Sequence, residues 1–227
     1  MIARKYTTTI WILMAANIVF SAAIYPRLPD PAPVHWNIHG QVDNYGPRWV
    51  AAGVFPACMV AVMALLLVLP RLGPFRENLE SISTTYGRIM VTIALMMVAM
   101  NTIFLLASIG YALPIGSSIA LVVGLFFALL GNWMGKVPRN FYVGIRTPWT
   151  LANDTVWERT HRLGGRVMVA AGLLVAATSL FASDIVCFIV LMASMAVTVI
   201  WALIYSYRLY RRLGSIDDLQ APGSNRA

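Results

Sequence analysis

Charge is scarce in this chain: 11% of its 227 residues are Asp, Glu, Lys or Arg, against about a quarter in ordinary soluble domains. None of them stands in the middle of a long apolar run, which weighs against a transporter coupled to ions through charges inside the membrane. Cysteine is nearly absent too. Cys58 and Cys187 both lie within apolar runs, so the spacing supports no disulfide framework, and both are expected as small core or lipid-facing residues. The sequence also lacks the alternating apolar and polar segments of a membrane barrel. It holds no phosphate-binding P-loop and no serine or cysteine nucleophile visibly set beside a base.

What is abundant is apolar surface, at 59% of the residues. A backbone in lipid must satisfy its own hydrogen bonds, which leaves helices once barrels are excluded. The fold class is therefore an all-α integral membrane protein, a single membrane domain over residues 1–227. Spans of about 20 apolar residues are expected at Thr7–Tyr25, Trp49–Leu69, Ile89–Ile109, Ile115–Met134, a short Val167–Ser183, and Ile185–Tyr207, making six transmembrane helices. Arg4 and Lys5 before the first run, and Ser21-Ala22-Ala23 near its end, imitate a secretory signal. The run exceeds a signal core, however, and reads as a retained helix.

The net charge of +8 forms no basic domain, and direct nucleic-acid binding is not expected. It reports topology instead. Threading six helices with the N-terminus inside puts every Lys and Arg except Arg27 and Arg48 on the inner side, so both termini are expected in the cytoplasm. Two connections are then long enough for function: an extracytoplasmic loop at 26–48 and a cytoplasmic loop at 135–166. Residues 214–227 read as a flexible tail.

The outer loop contains PVHWNIHGQVDNYG. Its prolines disfavour helix and regular sheet, Gly40 and Gly46 allow turns, and Asp43 and Asn44 are natural turn formers. His35, His39 and Asp43 follow at four-residue spacing, which on one helical turn would offer two imidazoles and a carboxylate to a divalent metal such as zinc. The same three groups could equally tie the loop to itself, or titrate near neutral pH. Trp36 and Trp49 suit an interfacial aromatic belt.

The inner loop reads GKVPRNFYVGIRTPWTLANDTVWERTHRLGGR. Thr155-x-x-Glu158 resembles a capping box and Gly164 a helix stop, which predicts a short amphipathic helix lying beside the bundle. On it Trp157 and His161 share a face, and Glu158 pairs with Arg162. Its arginines can follow topology and meet anionic headgroups. The turn-rich stretch from Asn140 to Thr147 is less generic: Gly144 permits a close approach and Arg146 a bidentate contact with a phosphate, a carboxylate or a partner protein. Within the membrane, Asn17 and Asn101 are expected to hold helices together; lining a transport cavity with Asn132 is the other use open to them.

Taken together, the two loops resemble a known family. The inner segment, through Asn140, Gly144, Arg146, Thr147, Pro148, Trp149, Trp157, His161 and Gly164, is similar to the SdpI family of bacterial membrane proteins. The outer segment, through Pro33, His35, Asn37, Gly40, Asp43 and Gly46, resembles the N-terminal membrane domain of unknown function that accompanies it. His39 stands outside that pattern.

The resemblance implies a protein of the bacterial cytoplasmic membrane that confers tolerance to a membrane-active peptide toxin. It further implies that toxin binding outside leads to recruitment of a cytoplasmic repressor inside. Asn37, Asn140, Gly144, Arg146, Thr147, Trp149, Trp157 and His161 are then the ligand- or partner-binding candidates, and His35, Asp43 and His39 the metal candidates. A metal-dependent membrane enzyme and a small-molecule or lipid transporter are the competing readings.

Overall fold

The computed structural model describes residues 2–72, 78–140 and 142–220. Among the described residues, five helices are long and apolar enough to cross a membrane: α1 (Arg4–Ile24), α2 (Arg48–Leu72), α3 (Asn78–Ser108), α4 (Ile115–Met134) and α7 (Asp184–Gln220). Their outer surfaces carry Trp11, Val19, Leu65, Val197 and Ile200 exposed. Lipid, which solvates such side chains without cost, explains that inversion.

Two of the interior clusters hold the two halves of the bundle. Ile10, Met14, Met59, Met63, Tyr86 and Met90 pack among α1, α2 and α3. The second joins α4, α6 (Asp154–Ser179) and α7 through Ala120, Val175, Cys187 and Leu191. A buried polar knot strengthens the first half: the Asn101 amide donates to Asn17 Oδ1 at 2.8 Å and to Ser21 Oγ at 2.9 Å. This is the helix-joining use expected of the two asparagines. Asn132 lies on the exposed face of α4 and takes no part, so the three asparagines do not line one cavity.

The sixth helix departs from expectation. Rather than a short inner helix, a stop at Gly164 and a span from Val167, the chain makes one continuous α6. Its cap is Asn153, whose side chain accepts from the Val156 N–H at 3.0 Å, not Thr155. The glycines remain helical because they serve close packing. A Cβ on Gly165 would lie 2.6 Å from Gly131 O, and one on Gly124 would lie 2.7 Å from Gly172 O. Small residues let α4 and α6 approach backbone to backbone along their length. The polar first half, with Asp154, Glu158, Arg159 and Arg162, makes α6 less apolar than the other five.

The outer connection also differs. Instead of irregular turns, it makes an antiparallel hairpin of β1 (Ala32–Trp36) and β2 (Val42–Gly46). A two-stranded ribbon has a free edge on each strand, which accommodates Pro33 without losing a ladder bond. The turn sits earlier than Asp43 and Asn44, which belong to β2. Asn37 Oδ1 accepts from the backbone N–H of His39 at 2.9 Å and of Gln41 at 3.1 Å, and Gly40 takes φ 74°, where a side chain is disfavoured.

The segment read as a tail is entered by α7, which reaches Gln220; residues 221–227 lie outside the described residues.

Candidate functional site

The polar residues gather at the two ends of the bundle. At the hairpin end, Ala32 is fully buried beside Ile24, Leu28 and Leu105, and Trp36 packs on Phe104 with ring centroids 5.4 Å apart. Ser108 Oγ donates to Pro33 O at 3.0 Å, so the hairpin base is fixed to α3. Its tip meets the other half of the protein at Asp184, whose carboxylate lies directly against Gly40. That carboxylate also accepts the N–H groups of Gly116 at 3.1 Å and Ser117 at 2.9 Å. A carboxylate there satisfies otherwise orphaned donors at the start of α4.

His35 Nδ1 lies 2.5 Å from Asp43 Oδ1, with the two side chains 65% and 42% exposed. His39 is held only through its backbone in the Asn37 turn. Among the described residues no three His, Cys, Asp or Glu side chains are grouped to hold a metal. The helical turn that would have aligned His35, His39 and Asp43 is replaced by a strand and a turn. A zinc site needs at least three protein ligands, so the residues do not fit one, and the loop ties to itself through one histidine-carboxylate pair.

The opposite end is built from buried parts. Asn140, 2% exposed, uses its whole amide: Nδ2 donates to Pro138 O and Val143 O at 2.8 and 3.0 Å, while Oδ1 accepts from Tyr142 N and Val143 N, both at 2.8 Å. Four bonds are the full capacity of that side chain. Thr147 caps the short helix α5 (Pro148–Ala152) in a reciprocal box with Thr150. Thr150 Oγ1 also donates to Ile145 O at 2.7 Å. Trp149 reaches α7, donating to Ser206 Oγ at 2.5 Å, and Trp157 donates to Val137 O at 2.8 Å.

His161 locks these pieces together. Its ring stacks on Trp157 with centroids 3.9 Å apart. Nδ1 lies 2.8 Å from Trp157 O, a carbonyl that can only accept, so Nδ1 carries the proton. Nε2 is then the acceptor for the Ile145 N–H at 2.8 Å. Burial pushes the His161 pKa down to about 4, opposed by the bond to Trp157 O. This imidazole lies before the apolar section of α6 and is neutral at pH 7. Gly144, at φ 131°, passes so close that a Cβ would collide with His161 Nε2.

Thus the structure brings Asn140, Gly144, Thr147, Trp149, Trp157 and His161 into one clasp, with Arg146 exposed beside it and Asn37 at the far end. Sequence reasoning missed Asn153, Thr150, Ser206, Asp184 and Arg139. Arg139 donates to Leu151 O at 2.8 Å and pairs with Asp154 at 2.8 Å. Asn153 was legible, since Asn before a helical run is a cap signal. Thr150 was hidden because the usual box has Glu or Gln at that position.

A helical multi-pass membrane protein is thereby defined, with a folded hairpin at one end and a clasp closed by Asn140 and His161 at the other. Residues 136–206, which contain the clasp, match the SdpI/YfhL protein family, and residues 12–60, which contain the hairpin, match a domain of unknown function, DUF1648. The chain is 27% identical over 207 residues to the immunity protein SdpI of Bacillus subtilis (strain 168), covering 89% of this chain and 94% of that one. It is similar to SdpI-family membrane proteins, with an N-terminal segment that matches DUF1648. No solved structure matches it.

Proposed function

We propose that the protein confers tolerance to a membrane-active peptide toxin met at its hairpin end, and that its clasp end recruits a cytoplasmic partner of the repressor type. The observation that carries this reading is the near end-to-end correspondence with an immunity protein, which spans both ends of the bundle. Charge supports the orientation: among all Lys and Arg residues, only Arg27 and Arg48 fall on the hairpin side when the chain is threaded through six helices. The hairpin then faces outward and both termini lie in the cytoplasm.

The two ends suit these roles differently. His35, Asp43, Tyr45 and Trp49 are exposed on or beside the hairpin, offering charge and aromatic surface to a peptide. At the clasp the buried side chains of Asn140 and His161 are spent on groups of the clasp itself. Contact with a partner therefore falls to rim residues such as Arg146, for which the clasp is a rigid mount.

Expression in a toxin-sensitive strain lacking its own immunity is expected to raise survival. The reading is sunk if neither expression nor deletion alters sensitivity to any membrane-active peptide. Arg146→Gln is expected to weaken capture of the cytoplasmic partner while leaving tolerance unchanged; equal capture by both forms would remove the rim from the partner surface.

A further inference from the structure

A groove of about 570 Å³ runs between α6 and α7 at the clasp end, lined by Arg159, Arg208 and Arg212 and floored by Trp201, Ile204 and Tyr205. Three arginines line it, and among the described residues no carboxylate does. The nearest acids of α6 are engaged elsewhere, Glu158 with Arg162 and Asp154 with Arg139. Arg208 and Arg212 repeat at i,i+4 on one helix, a spacing at which like charges repel. Arg159 and Arg208, on facing helices across the groove, suit an anion between them.

The groove is graded along its length. Trp201 and Tyr205 stack with centroids 5.0 Å apart at 15°, and Trp201 lies close against α6 because Gly164 presents no side chain there. The apolar and aromatic floor lies toward the spanning part of α7, and the cations lie roughly 10 to 16 Å further along the helix from Trp201, at 1.5 Å per residue. That order, apolar then cationic, mirrors a phospholipid from acyl chain to phosphate. Guanidinium groups bind phosphate oxygens in pairs, and basic pockets between membrane helices suit anionic headgroups.

We propose that this groove holds one anionic phospholipid, with its phosphate on Arg159 and Arg208 and the upper part of an acyl chain on Trp201 and Ile204. A free phosphate shares the anion but gains nothing from the floor. Arg166 and Arg211 are exposed at the same end without lining the groove, and they provide a charge-matched control.

The full chain, purified in a neutral detergent, is titrated with phosphatidylglycerol, phosphatidylcholine or glycerol 3-phosphate. Thermal unfolding and retention of lipid by native mass spectrometry are then measured. Phosphatidylglycerol is expected to raise the unfolding midpoint and stay bound, whereas the other two do neither. Arg159→Gln with Arg208→Gln is expected to weaken apparent lipid affinity at least about tenfold, the cost of one charge-assisted contact or more, while Arg166→Gln with Arg211→Gln leaves it unchanged.

Equal loss in the control, no loss in the groove variant, or equal stabilisation by glycerol 3-phosphate overturns the proposal. Should the Gln pair fail to fold, the Lys pair decides. It keeps the charge and loses the fork, so severalfold weaker binding supports the groove and unchanged binding rejects it.

Discussion

The hairpin at 32–46 and the clasp at 136–163 are both polar, both turn-rich and both at an end of the bundle, yet their polar groups are used in opposite ways. In the hairpin the chemically versatile side chains, His35 and Asp43, stand in the open and meet only each other. In the clasp, Asn140 and His161 are almost wholly buried and each hydrogen-bonding atom is committed to backbone or side chain nearby. Buried polar networks are costly when broken, whereas exposed pairs are cheap. A segment that must keep its shape uses the first design, and a segment free to meet ligands uses the second.

The strongest challenge to this contrast is Gly144→Ala. The added methyl would sit at a strained positive φ and displace the His161 ring, so a loss of about 3 kcal/mol in unfolding free energy is expected. Limited trypsin digestion should then cut sooner at Arg139 and Arg146. Unchanged thermal stability and digestion would show that the clasp is not the rigid element described.

Acidification is a gentler probe. His161 has a folded pKa of about 4 against 6.5 for the free side chain, so the unfolded state binds the proton first. The stability conferred by the neutral ring is complete above pH 6.5 and is lost as pH falls toward 4. Protonation at Nε2 also removes the acceptor for the Ile145 N–H. Hydrogen exchange at the Ile145 amide should speed up, relative to its intrinsic rate, between pH 6.5 and 4.5, and His161→Gln should flatten that dependence.

The smallest expected effect is at the other end. His35→Ala should change stability by no more than about 1 kcal/mol, as for exposed ion pairs generally. Its value lies in separating the two designs: toxin tolerance should fall while the unfolding midpoint stays. A midpoint that drops as far as in Gly144→Ala would erase the difference between the ends.

Much of the fold was written in local chemistry. The span Ile115–Met134 coincides with α4, because an uninterrupted apolar run with the length of a bilayer has no other stable form in lipid. The Glu158–Arg162 pair and the shared face of Trp157 and His161 also follow from helical spacing alone. The glycines did not declare themselves in the same way. Gly164 reads as a stop from its neighbours in sequence, but its meaning comes from Ile145 and Trp201, residues far along the chain that no local pattern connects to it.

The sequence by itself thus determined a helical membrane protein, the rough position of its spans and the two segments that hold its polar chemistry, since these depend on hydropathy and local periodicity. Only the tertiary structure decided that His35 and Asp43 face each other across a ribbon without His39, that α6 is one helix, and that the candidate residues of the inner loop are largely a clasp. Those outcomes depend on which distant surfaces meet. A hydrogen bond between residues 145 and 161, or a glycine pressed against the next helix, exists only after the chain has packed.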